Sequence, residues 1–355
     1  MRTGKWNSIL SGACGFVAAV GMVAASASAA VTTEKGSSIL VFPKVRADSG
    51  FDTVIEITNT GNSMVHAHCY YVNDLQDWNE IDFNIWLTKQ QPTHWLASSG
   101  RRFDPSCGFG EDCSGFAPGL VPPLPDFEGE LKCVEVTESG EPITGNHLKG
   151  VATIVAISDG SEFDSSARTQ GDLATYNGIG IQGNPNAVPS NPLLLDGAVY
   201  DACPEQIVLN HFASNADDLV ADGASVFTEL TLIPCSQDFE TQTGGESTIQ
   251  FVVYNEFEQR FSASTTVDCF LNVEVSGIDT STTPSNSVFS RPVLGTDVAS
   301  AVITPIPGDG GLIGIAEQVT ARSASEAARA AYNLHTSGSL VPSTGPDSIR
   351  LVEPF

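Results

Sequence analysis

Met64, His66 and His68 stand two residues apart in a stretch, Met64 to Val72, that alternates side-chain character at every step. Such alternation reads as a β-strand. It puts the three on one face and Val65, Ala67, Cys69 and Tyr71 on the other. Imidazole and thioether together suit copper, and histidines two apart on a strand can share one ion. Cys69 points to the opposite face, so no blue-copper set is completed locally. The plainer expectation is an ordinary half-exposed strand face.

Trp78, Trp86 and Trp95, with Phe83 and Tyr70, offer ring faces for stacking on sugars, and Asp77, Asn79, Glu80 and Asp82 could take hydroxyls. Tryptophan more often anchors a core or a loop. Gly178, Gly180 and Gly183 spell G-x-G-x-x-G, but Pro185, Pro189 and Pro192 forbid the helix that must follow in a dinucleotide site. Asp48-Ser49-Gly50 matches one half of an aspartic-protease signature without a second copy, and reads as a turn. Neither G-x-S-x-G nor H-E-x-x-H occurs. His94, His147, His211 and His335 are isolated and read as structural.

The chain carries 8 cysteines. Cys14 falls inside an N-terminal apolar segment, Ile9 to Ala25, which follows Arg2 and Lys5 and precedes Ala27-Ser28-Ala29-Ala30. This is the pattern of a bacterial-type secretory signal over residues 1–30, so the expected site of action is the periplasm, cell surface or medium. The remaining cysteines then read as disulfides. Cys107 pairs with Cys113 across a short Gly-rich loop, Cys69 with Cys133, and Cys235 with Cys269. Cys203 is left as the odd thiol, either buried or linking two chains.

The net charge is −26, from 42 acidic and 16 basic residues, and loss of Arg2 and Lys5 makes it more negative still. Such a polyanion repels phosphate backbones, which argues against nucleic-acid binding. Solubility is the bland use of the acids and Ca²⁺ binding the sharper one. No segment after residue 30 is apolar for long enough to span a bilayer as a helix.

The elements that must carry these residues are mostly short strands. Phe51 to Asn73 reads as a hairpin closed by Asn59-Thr60-Gly61-Asn62. Thr248 to Asn255, followed by Cys269-Phe270, faintly echoes it. Arg101 to Asp126 is a long loop, Ser165 to Pro192 a punctuated connection, and Gly277 to Ser290 a Ser/Thr-rich linker. Ala324 to Leu334 is the one helix candidate, with Ser323 or Ser325 as cap. The roughly 325 residues after the leader suit one large or two ordinary domains. They divide into 31–195 and 196–355. The expected fold is all-β, two antiparallel immunoglobulin-like sandwich modules with long loops and one short C-terminal helix. In strand rhythm and the Thr58-Asn59-Thr60-Gly61 turn the chain resembles bacterial immunoglobulin-like surface modules, which implies architecture alone. Val341 to Gly345 departs from a sortase signal, and Glu353 and Pro354 spoil a terminal barrel strand before Phe355.

The expected function is an exported, non-enzymatic structural or adhesive component of the cell envelope or surface, with self-assembly, other surface proteins or glycans as partners. The alternatives are a secreted carbohydrate-, Cu- or Ca-binding module and a secreted hydrolase with an unrecognised site.

Overall fold

The structure is a computed structural model that describes residues 31–48, 50–75, 78–101, 119–157, 173–216, 224–280, 283–323, 326–336 and 347–352. The leader, the Cys107–Cys113 pair and the tail signals lie outside the described residues. In chain order the strands are β1 (Ile39–Ala47), β2 (Phe51–Asn59), β3 (Val65–Asn73), β4 (Glu80–Leu87), β5 (Pro92–Leu96), β6 (Phe127–Val136) and β7 (Leu148–Ala156). There follow β8 (Leu173–Asn177), β9 (Ile179–Ile181), β10 (Leu193–Leu194), β11 (Ile207–Phe212), β12 (Ser225–Pro234), β13 (Gln237–Asp238), β14 (Glu246–Asn255) and β15 (Arg260–Asp268). The last are β16 (Leu271–Glu274), β17 (Val298–Pro305), β18 (Leu312–Ser323), β19 (Glu326–Asn333), β20 (His335–Thr336) and β21 (Ser348–Arg350). Helix is confined, among the described residues, to one four-residue turn at Arg291–Leu294 and two short 3₁₀ turns.

These strands form five small sheets, arranged as a five-bladed β-propeller, and not the two immunoglobulin-like sandwich modules expected from strand rhythm. Sheet 1 runs β4-β3-β6-β1-β9, sheet 2 β5-β2-β7-β8, sheet 3 β10-β21-β13, sheet 4 β16-β12-β18-β19 and sheet 5 β15-β14-β17-β11-β20. Neighbours pair antiparallel except β13 with β21. No sheet follows chain order as a plain meander, so each is closed by segments far apart in sequence.

The packing shows why two separate modules do not form. Strand β1 is buried on both faces, which is why it reads as a near-continuous apolar run. Leu40 and Phe42 enter one core with Ile55, Cys69, Leu131 and Ile154. Ile39 and Val41 enter another with Leu193, Phe239, Ile313 and Ile349. That second core draws on both 31–195 and 196–355. Strand β8 also lies against β19, where the Asn177 N–H donates to Asn333 Oδ1 at 3.1 Å and Asn333 Nδ2 donates to Asn177 O at 2.7 Å.

Two local expectations change. Phe51 to Asn73 is not a hairpin: β2 pairs with β5 and β7, whereas β3 pairs with β4 and β6. The turn after Asn59 carries the chain from one sheet to another. Asn59 is fully buried there; its Oδ1 accepts the Gly61 N–H at 2.7 Å, and its Nδ2 donates to Leu87 O and Thr88 O. The Ala-rich stretch from Glu326 is strand β19, not a helix. The long neighbouring strand β18 offers it an unpaired edge, and ladder pairing from Ile315–Asn333 to Ser323–Glu326 outweighs local propensity.

Candidate functional site

The side chains with the richest chemistry gather on the face of β3 and β4 that points away from the Cys69 core. Period-two alternation buries Ala67, Cys69 and Tyr71 on one side and turns His66, His68 and Tyr70 to the other. Register then sets His66 opposite Trp86, His68 opposite Asn84, and Tyr70 opposite Asp82.

Tyr70 Oη donates to His68 Nδ1 at 2.9 Å, and His68 Nε2 donates to Asp82 Oδ2 at 2.7 Å. The bond from His68 holds the Asp82 carboxyl below its ordinary range against the opposing effect of burial. Burial, reinforced by the charges of Glu80 and Asp82, pushes the Tyr70 phenol up, so it remains a donor. Burial, with Asp82 adding to it, pushes Glu80 up to about 7. The three groups form a phenol–imidazole–carboxylate relay along which a proton could pass. Tyr70 is fully buried, and Phe239 stacks on its ring at 4.1 Å. The relay therefore ends against protein instead of in an open cleft.

The candidate metal ligands are engaged by protein atoms or stand apart. His66 Nδ1 lies 2.8 Å from Thr137 O and Nε2 lies 2.8 Å from Asn84 Oδ1, and its ring stacks on Trp86 at 4.6 Å. Both nitrogens of His66 and both of His68 are thus engaged by protein atoms, while Met64 precedes β3 and is 55% exposed. The three do not converge, and among the described residues no group of three His, Cys, Asp or Glu side chains is placed to hold a metal ion.

The three tryptophans of the expected platform sit in different surroundings. Trp78 packs beside Phe239 in the core that β1 shares with sheet 3. Trp95 is buried in the other core on β1, where its Nε1–H donates to Tyr71 Oη at 2.6 Å. Trp86 alone keeps a half-open face, and it is stacked on His66. Three rings that anchor three different places offer no common surface.

The structure joins Cys69 to Cys133, which stand directly opposite each other on β3 and β6. Cys235 is bonded to Cys203, not to Cys269. The free thiol among the described residues is Cys269, not Cys203. Burial and the neighbouring Asp268 carboxylate push it up to about 11.

Gly178 and Gly180 serve close packing. A Cβ at Gly178 would meet Leu40 and Phe42, and one at Gly180 would meet Ser37, while Gly180 itself lies in strand β9. Asp48 closes a turn, its Oδ1 accepting the N–H of Gly50 and of Phe51.

Two buried charge clusters escaped the sequence reading. Lys44 Nζ donates to Glu317 Oε2 and to Asn272 Oδ1 and lies 3.4 Å from Glu229; Arg329 reaches Glu229 at 3.2 Å. Arg46 and Arg329 place their guanidinium carbons 3.9 and 4.6 Å from the Phe51 ring centroid. Elsewhere Lys132 donates to Gln237 Oε1, and Gln237 Nε2 donates to Glu130. Burial pushes Glu130 up and Lys132 down, each offset by the other. The available signal was charge inside strands that are otherwise apolar and buried, as at Lys44 in β1 and at Glu130 and Lys132 in β6.

A cavity of about 420 Å³ opens on sheet 5, lined by Asn210, His211, Tyr254, Asn255, Ser300 and Gln318 among others. The His211 Nδ1–H donates to Phe212 O at 3.0 Å, and Nε2 is buried without a partner. Burial lowers this imidazole to about 4, so it is neutral near pH 7.

No protein-family model matches this chain, and no curated protein sequence is significantly similar to it.

Proposed function

We propose that this chain is an exported, non-enzymatic structural or adhesive protein of a cell envelope or surface. The observation that supports this reading is where the buried ionisable side chains go. Lys44, Glu229, Glu317 and Arg329 tie sheet 1 to sheet 4, and Glu130, Lys132 and Gln237 tie sheet 1 to sheet 3. Each cluster holds distant segments in fixed relation, as a body that bears load or presents a constant surface requires. Among the described residues, two disulfides suit an oxidising compartment, and no helix is long and apolar enough to cross a membrane.

The test is expression with residues 1–30 in place in a bacterial host, followed by fractionation, surface biotinylation and a broad ester, peptide and glycoside screen. The expected result is processed protein in the periplasm, on the surface or in the medium, with no turnover above a denatured control. Cytoplasmic retention, or turnover lost with native structure, would overturn the proposal.

A further inference from the structure

Strand β15 is the outer strand of sheet 5, paired on one flank to β14 over nine consecutive positions without a bulge. The Asn255 N–H donates to Gln259 O at one end of this ladder and the Cys269 N–H to Gly245 O at the other. Antiparallel ladders alternate hydrogen-bonded and non-hydrogen-bonded pairs, so both ends set the same phase. Phe261, Ala263, Thr265 and Val267 bond to β14. Ser262, Ser264 and Thr266, flanked by Arg260 and Asp268, turn their backbone N–H and C=O groups to the other flank, which pairs with no strand among the described residues.

Edge strands are ordinarily blunted by proline, a bulge or an inward charge. Ser262 to Val267 has none of these, and Ser262, Ser264 and Thr266 are exposed. Its sequence is also self-complementary. With a two-fold axis through Ser264, a second copy running antiparallel sets Ser262 against Thr266 and Phe261 against Val267. The same axis sets Arg260 against Asp268 at both ends. In a chain with 16 basic residues to 42 acidic, a cation and an anion placed symmetrically about one edge strand carry information. On the same axis the out-turned groups of Ser262, Ser264 and Thr266 meet their counterparts, giving about six backbone hydrogen bonds.

We propose that β15 is a self-recognition edge, at which two copies of this chain join their five-stranded sheets through an antiparallel β15–β15 pairing centred on Ser264. Phe261 and Ala263, half-buried against the core of sheet 5, gain cover from the second copy. An interface built on one strand is small, so the dimer is reversible and concentration-dependent. This geometry stands apart from the structural or adhesive role, whose own test is fractionation.

The experiment is sedimentation velocity of the purified chain across a concentration series, with three variants. Ser264→Pro removes an N–H that the fold does not use and blocks the centre of the pairing, and circular dichroism checks that the sheet is retained. Arg260→Asp places like charges at both ends, and Arg260→Asp/Asp268→Arg restores opposite ones. The expected result is a dimer in the parent, none with Ser264→Pro, about tenfold weaker association with Arg260→Asp, and recovery in the double variant. A parent that stays monomeric throughout overturns the proposal. So does a dimer that survives Ser264→Pro, ignores the charge swap, or persists on a non-reducing denaturing gel.

Discussion

Lys44 of β1 donates its ammonium to the carboxylate of Glu317 on β18, 273 residues further along the chain, and both side chains are buried. Glu317 stands opposite Glu229 in the β12–β18 ladder, so two like charges face each other in register. Unaided, that pair would destabilise the sheet. Lys44 from one side and Arg329 from β19 make it an attractive cluster.

Removing the cation should therefore cost more than removing the cluster. Lys44→Met leaves Glu317 buried without its nearest cation, a loss of about 3–5 kcal/mol. Lys44→Met/Glu317→Leu should recover most of it. Urea denaturation of the three proteins measures both steps, and equal loss in single and double variants would contradict the account. Burial pushes the Glu229 carboxyl up, but Lys44 and Arg329 outweigh it and hold the group below its ordinary range. Its contribution is thus complete above the usual carboxylate range and is lost as acid titrates through the depressed value.

How much of this was legible can be judged from Asn59 and Asn255. Each ends a strand, accepts the N–H two residues on, and donates from Nδ2 to a backbone carbonyl. The sequence echo between them reflects a shared turn chemistry. After Asn255 the chain forms a true hairpin, β14 with β15, whereas after Asn59 it changes sheets. Alternation has the same period in both cases, so it shows strands without showing their partners. That is why β content was legible and the five-sheet arrangement was not. Glu326 to Asn333 failed for a related reason: alanine-rich text favours a helix locally, and a free strand edge distant in sequence decides otherwise. The histidine face at β3 was legible as a face. Its partners on β4, and the burial of Trp78 and Trp95 in separate cores, depended on register.

The bond from Trp95 Nε1–H to Tyr71 Oη sits in a fully buried setting. Tyr71→Phe keeps the ring and leaves the indole N–H without its acceptor, so a loss of about 1–3 kcal/mol is expected. Trp95→Phe removes the donor and also a large part of the core side chain, and should cost more through the cavity it leaves. Thermal unfolding of both variants orders the two effects.

Cys269 should be a slow nucleophile in the native protein. Its thiol is pushed up to about 11, burial acting first and Asp268 second, so little thiolate exists near pH 7. Iodoacetamide with peptide mapping should find Cys269 modified slowly at pH 7.5, faster with each unit of added pH, and readily after denaturation. Rapid native modification at pH 7.5 would show a different surrounding for the thiol.

Half-buried Glu80 and buried His211 should bend the stability of the protein with pH in opposite senses. Burial raises Glu80 to about 7 from 4.5, so the folded state holds the proton more tightly than the unfolded one. Stability then falls as pH rises from 4.5 through 7. Burial lowers His211 to about 4 from 6.5, so the unfolded state takes the proton first. Stability then falls as pH drops from 6.5 to 4, by about 3 kcal/mol when the loss is complete. Between pH 4.5 and 6.5 the two slopes oppose each other and partly cancel in the parent. Glu80→Gln should leave a profile that climbs across that window, and His211→Gln one that descends. Urea midpoints measured every half unit from pH 4 to 8 on the three proteins separate the two groups, and an unchanged slope in either variant would show that its group does not titrate on unfolding.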